Sequence, residues 1–146
     1  MATSNGAIAD KQRILELQNR YSYSIDSGNY DKLDAMFTPD ATYHFVTGST
    51  DNIKALKKTI QEALQPLSSS QHINGNQWAT IEGDRATAGC YFTVHMYKEG
   101  LADGEHFEMG GRYEDELIRT SDGWRFTSRT ITILWSDGNR RVRWQD

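Results

Sequence analysis

Two residues of this chain are of types that together can move protons. Asp26 closes the stretch Tyr21-Ser22-Tyr23-Ser24-Ile25-Asp26, and His72 lies in Gln71-His72-Ile73-Asn74-Gly75-Asn76. A neutral imidazole takes up a proton near neutral pH, and a carboxylate on its other ring nitrogen fixes the tautomer and stabilises the imidazolium that forms. If such a pair removes a carbon-bound proton while a neighbouring hydroxyl or halide leaves, the reaction is an elimination. If the proton returns elsewhere, it is an isomerisation. Neither needs a cofactor. General acid–base assistance contributes about 10²- to 10⁴-fold, so electrostatic help from groups such as Tyr21, Tyr43 or Arg129 has to supply much of the rest.

Each candidate also has a plainer reading. Asp26 could cap the turn Ser27-Gly28-Asn29-Tyr30, as aspartates often do. His72 could be a hydrogen-bonded strand histidine. Tyr21, Tyr23 and Tyr43 could be core residues with a wet hydroxyl. Arg129 shares its parity with Ile131, Ile133 and Trp135, where a guanidinium must find a carboxylate, a ligand anion or water; a one-residue slip would put it on the surface instead.

The elements that must position these groups follow from periodicity. Ile8, Ile14, Leu15, Leu17, Tyr21 and Ile25 recur at roughly helical spacing and predict a helix over 7–27, stopped at Gly28. A short helix over 31–37, capped by Asp31, should end at Thr38-Pro39. A strand over 41–46 and a third helix over 51–64 follow, the helix turning Ile53, Leu56, Ile60, Ala63 and Leu64 inward and ending before Pro66. Gly83-Asp84 and Asp122-Gly123 then punctuate an antiparallel meander with strands over 71–82, 85–98, 105–120 and 124–136. The order is ααβαββββ.

A strongly twisted sheet with helices on one side should curl around them and leave a conical cavity suited to a small molecule. Period two nominates Phe92, Val94 and Met96, then Met109, Gly111 and Tyr113, then Arg129, Ile131, Ile133 and Trp135 as its lining, a largely apolar set. The opposite parity carries Arg112, Glu114, Glu116, Trp124, Phe126, Ser128 and Thr130, a face for water or a partner subunit.

Composition narrows the function further. At 146 residues the chain reads as one domain, and its net charge of −4 offers no basic stripe for nucleic acid. Cys90 stands alone, so there is no disulfide framework or thiolate metal site, and a reducing cytoplasm is the default. The opening residues, Met1 to Ala7, lack a basic start and an apolar run. His44, His95 and His106 fall on different predicted strands without i, i+2 or i, i+4 pairing, so no metal is expected. Glycine-rich dinucleotide loops, phosphate-binding loops and serine nucleophile elbows are missing.

Taken in order, Tyr21…Asp26, Phe37-Thr38-Pro39-Asp40-Ala41, His72-Ile73-Asn74, Gly83-Asp84-Arg85-Ala86, Gly111-Arg112-Tyr113 and Asp122-Gly123-Trp124-Arg125 resemble the SnoaL-like branch of the nuclear transport factor 2-like superfamily. The resemblance implies an α+β fold, a cone-shaped curved mixed sheet wrapped around N-terminal helices. Dehydrochlorinase-like and scytalone dehydratase-like members pair an aspartate of the first helix with a histidine at the start of the sheet, which implies Asp26 and His72 as the catalytic pair. The resemblance also implies an anchoring role for Arg129. Tyr21 stands where dehydrochlorinase-like members carry a lysine, a departure that counts against dehydrochlorination itself. Limonene epoxide hydrolase-like members need an arginine and two aspartates in another arrangement, and the inferred pocket faces of the later strands offer no carboxylate to match, so epoxide opening ranks lower.

The expectation is therefore a cofactor-independent lyase or isomerase, dehydratase-like or cyclase-like, acting on a small, largely apolar, cyclic or polyketide-type molecule. His72 would transfer the proton and Asp26 orient it. Tyr21 and Tyr43 would hold a substrate oxygen, and Arg129 would meet developing negative charge. Phe92, Val94, Met96, Met109, Tyr113, Ile131 and Trp135 would give the pocket its shape. A homo-oligomer, dimer or trimer, is expected through the outer face. The rival is a carrier or interaction subunit that uses the same cavity without turnover.

Overall fold

Every element of this chain is arranged by one sheet. The computed structural model describes residues 4–144, so the part of the N-terminal reading that rests on Met1 to Thr3 lies outside it. Helix α1 (Ser4–Asp26) buries Ile14, Gln18, Tyr21 and Ile25, one stripe at helical spacing. Ile8 does not belong to it and is exposed, because six residues before Ile14 a helix has turned to another face. Gly28, at φ +74°, takes the left-handed conformation that ends the helix, and the Asn29 amide bonds back to the Ser24 carbonyl at 2.9 Å.

The expected short helix is a 3₁₀ turn, Tyr30–Ala35. Asp31 does not cap it; its carboxylate takes Lys57 Nζ at 2.9 Å, as does that of Asp34. Strand β1 (Phe37–Phe45) begins earlier than expected and runs through Pro39. Its register on the neighbouring strand shifts between Phe37 and Thr42, so the missing proline N–H breaks no regular ladder. A short β2 (Gly48–Thr50), not anticipated, turns back on β1. Helix α2 (Ile53–Leu64) is capped by the Asn52 side chain, which accepts from the Ala55 amide at 2.8 Å, and buries Leu56 and Ile60.

The four remaining strands are β3 (Ser69–Glu82), β4 (Arg85–Tyr97), β5 (His106–Thr120) and β6 (Gly123–Gly138), followed by a 3₁₀ turn at Arg140–Val142. The sheet order is β2-β1-β6-β5-β4-β3, antiparallel except for the parallel β1–β6 pair. This curved, unclosed mixed sheet carries the helices on its concave face, where Tyr21, Phe37, Tyr43, Tyr113 and Phe126 pack as one aromatic cluster. Among the described residues no helix is long and apolar enough to cross a membrane.

Two bulges in β6 decide which residues face inward. Glu116 pairs with Ser128 but Leu117 with Phe126, leaving Thr127 extra. Gly111 pairs with Ile133 but Gly110 with Trp135, leaving Leu134 extra. Each extra residue flips the alternation. Trp124 and Phe126, expected outside, are therefore buried in the core. Trp135, expected in the pocket, instead lies on the outer face, 46% exposed, with its indole over Gly110 where any Cβ would clash at 2.1 Å.

Candidate active site

Asp26 is the last residue of α1, and His72 faces inward four residues into β3, paired with Val94 of β4. The structure brings them together. His72 Nδ1 lies 2.7 Å from Asp26 Oδ1, and the His72 backbone amide donates to Oδ2 at 2.6 Å. Ser70, two residues earlier on the same face of β3, donates its hydroxyl to Oδ1 at 2.7 Å. The carboxylate is thus held by three donors, and its side chain is 17% exposed against 8% for His72. A carboxylate only accepts, so Nδ1 carries the proton of the shared bond and Nε2 keeps its lone pair. A recess of about 280 Å³ opens beside Asp26, lined also by Ser70, Tyr30, Leu64 and Leu67 but not by His72. The nearby Asp26 charge adds to burial in pushing the Tyr30 phenol upward, which keeps it a neutral donor.

The floor of the cone is a second polar cluster in an apolar surround. Arg129 faces inward, as its parity predicts, and is fully buried. Its Nε and Nη2 donate to the two oxygens of Asp115 at 2.7 and 3.2 Å, and Gln18 Nε2 reaches Asp115 Oδ2 at 3.4 Å. Its Cζ stands 4.4 Å over the Tyr21 ring, 3.9 Å over Tyr113 and 4.6 Å over Phe126. Burial opposes the charge, but Asp115 outweighs it and holds the guanidinium protonated. Nη1 has no hydrogen-bond partner. Tyr21 and Tyr43 bond to each other at 2.6 Å between hydroxyls. Burial raises the affinity of Tyr21, Tyr43 and Tyr113 for their protons, so all three are neutral phenols.

Asp115 overturns one premise of the sequence reading, because a carboxylate does stand beside the arginine on the inward face. It continues the series Met109, Gly111, Tyr113 by one step of two, a signal present in the sequence. Ser70 falls outside the strand expected over 71–82, because β3 begins at Ser69 and brings it inward two residues before His72. Both Asp115 and Arg129 have fully buried side chains, so this pair is sealed beneath the aromatic rings.

A row of rings joins the two clusters. His72 lies 6.1 Å from Phe92, Phe92 stacks on Tyr113 at 4.4 Å, and Tyr113 carries Arg129. Phe92, Val94 and Met96 are buried on the concave face, as predicted, whereas Met109, Ile131 and Ile133 are inward but only partly covered. The inner part of the concave face is filled with buried side chains, and the recess beside Asp26 and Ser70 is lined by none of these three residues. Tyr23 points to solvent. Burial raises the Cys90 thiol to about 11, which leaves it a packing residue rather than a nucleophile.

Among the described residues no three His, Cys, Asp or Glu side chains are placed to hold a metal ion. His44 is remote from the other histidines in β1, but His95 and His106, expected to be unrelated, are in contact: antiparallel pairing of Tyr97 with His106 and His95 with Glu108 makes them diagonal neighbours.

A model of the SnoaL-like domain matches residues 6–130. The chain belongs to the SnoaL-like family. Among the relatives of this SnoaL-like chain, the uncharacterized protein Rv2910c of Mycobacterium tuberculosis is 30% identical over 130 residues, 86% of each chain. The crystal structure of the Kfla4162 protein from Kribbella flavida superposes with a TM-score of 0.84 at 24% identity, covering 93% of this chain and 97% of that one. A type 2 hexachlorocyclohexane dehydrochlorinase, LinA, superposes at 0.73 with 16% identity, covering 92% and 87%. At these identities the structural likenesses establish the fold alone, which is shared also with a nuclear transport factor 2-like superfamily protein from Salmonella enterica.

Proposed function

We propose that this SnoaL-like protein is a cofactor-independent lyase or isomerase in which His72 Nε2 transfers a carbon-bound proton and Asp26 orients and charges the ring. The observation that carries this reading is the 2.7 Å contact between Asp26 Oδ1 and His72 Nδ1, with the His72 amide on Oδ2, because it directs the second ring nitrogen away from the carboxylate as a base. The dehydrochlorinase that shares the fold is an eliminating enzyme, which agrees with it.

In the proposed reaction Nε2 takes the proton, the C–H electron pair becomes the new double bond, and hydroxide or halide departs with its own pair. Asp26 meets the imidazolium charge as it forms. A base of this strength needs an acidified C–H, so the substrate class is a small cyclic or polyketide-type molecule with a carbonyl or comparable group next to the reacting carbon. Phe92, Met109, Ile131 and Ile133 would hold its apolar body. Tyr21, Tyr43 and Arg129 are buried, and their role in this reading is a fixed electrostatic floor rather than direct grip on the substrate. Elimination rather than isomerisation, and the cyclic class, are proposals.

The test is a screen of cyclic β-hydroxy and β-halo ketones against wild type and His72→Ala. Turnover lost in the variant with binding retained supports the enzyme. Equal binding with no turnover in any compound supports the rival carrier, which would use the same wall of the cone.

A further inference from the structure

The outer face of the sheet holds a second cluster of titratable groups, independent of the dyad. His95 of β4 and His106 of β5 face each other with Nε2 and Nδ1 2.7 Å apart, and Glu108 Oε1 lies 2.6 Å from the other nitrogen of His95. The ring of Tyr97 packs on His106 at 5.0 Å between centroids. The His95 and Glu108 side chains are 41% and 48% exposed, and His106 also forms one wall of an open recess of about 600 Å³ with Asp103, Glu105, Gly138 and Asn139.

We propose that His95 and His106 form a binding site for a borderline divalent transition metal, Zn²⁺, Ni²⁺ or Cu²⁺. Glu108 accepts only, so His95 donates from Nδ1 and can turn the lone pair of Nε2 toward His106. This is the arrangement in which a carboxylate behind a histidine fixes its tautomer and raises its basicity toward a metal. The two facing nitrogens compete for a single proton in the hydrogen bond, and an ion that replaces that proton leaves the Glu108 bond intact. Two imidazole nitrogens on a tetrahedral zinc stand roughly 3.3 Å apart, so the rings need to open by roughly 0.6 Å. Both side chains reach solvent from adjacent strands, so a small opening of the two rings does not disturb the core. Imidazole selects these ions over Mg²⁺ and Ca²⁺, which take oxygen. No third His, Cys, Asp or Glu joins them among the described residues, so water completes the coordination.

The experiment is calorimetric titration of untagged protein with ZnCl₂, and separately with NiCl₂. The expected result is one saturable site per chain. His95→Gln or His106→Gln should weaken it at least tenfold and Glu108→Gln several-fold, while His44→Gln and His72→Gln leave it unchanged. Absence of saturable binding up to millimolar metal, or binding unaffected in both His95→Gln and His106→Gln, would overturn the site. Circular dichroism of each variant distinguishes lost binding from lost fold.

Discussion

Ser70 donates its hydroxyl at 2.7 Å to the same Asp26 oxygen that faces the His72 ring. One strand therefore supplies the imidazole, the amide and the hydroxyl that hold the carboxylate, and α1 supplies the carboxylate alone. Ser70→Ala removes one of three donors without touching His72. The expected outcome is a kcat roughly fivefold to twentyfold lower with KM little changed, restored by Ser70→Thr. A KM effect with kcat unchanged would make Ser70 a substrate contact instead.

The dyad itself makes a sharper prediction. On the proposed mechanism each residue is needed for general-base catalysis, so Asp26→Asn and His72→Ala should each lower turnover by at least about a hundredfold with the fold kept. Their double variant should lose scarcely more than either one, because the two act as a unit. EDTA should leave wild-type turnover unchanged. Small, additive losses in folded variants would show that Asp26 is only the cap of the turn at Gly28.

Arg129 and Asp115 form an ion pair with both side chains at 0% exposure. Breaking such a pair leaves one uncompensated buried charge, at a cost of about 3–5 kcal/mol. Asp115→Asn should therefore destabilise the fold by about that much in urea unfolding. Arg129→Met together with Asp115→Leu should recover most of it, because no charge is then stranded. A double variant as unstable as the sum of the singles would contradict this account.

Much of the site was legible because it rests on local signals. Asp26 precedes a glycine stop, and His72 lies near the start of a strand whose pairing is unbroken from Ser70 to Asn74. The outer half of β6 was not, because bulges at Thr127 and Leu134 leave no mark in a run of β-branched and aromatic residues. Alternation counted from Arg129 is correct for Ile131 and Ile133 and fails for Phe126, Trp124 and Trp135 on either side. Short β2 and the parallel β1–β6 pairing arise from tertiary contacts, which neither period nor turn residues encode.

That correction moves the expected self-association surface. Trp124 and Phe126 are core, and the outer face exposes Ile73, Tyr91 and Trp135 beside Arg112. Homo-oligomerisation through this face remains a proposal, and Tyr91→Glu with Trp135→Glu should shift sedimentation toward a monomer of 16.6 kDa while the dyad stays intact. Wild type that sediments only as a monomer at micromolar concentration would rule it out.

Acid stability should follow Asp10. This carboxylate near the start of α1 receives Arg119 Nη1 and Nη2 at 2.9 and 2.8 Å and Trp124 Nε1 at 3.1 Å, so it fastens the helix to the β5–β6 hairpin. The Arg119 hydrogen bonds, against an opposing effect of burial, lower its pKa from 3.8 to about 2. Because the folded value is depressed, the unfolded chain binds more protons in between. The contribution is fully present above the unfolded value, near pH 4, and is lost as pH falls through about 2. A shift of this size corresponds to about 2 kcal/mol. Asp10→Asn should thus lower stability by about that amount near neutral pH and by much less near pH 2.5, as followed by urea unfolding at both. A deficit that stayed constant across that range would show that Asp10 acts through packing and not through its charge.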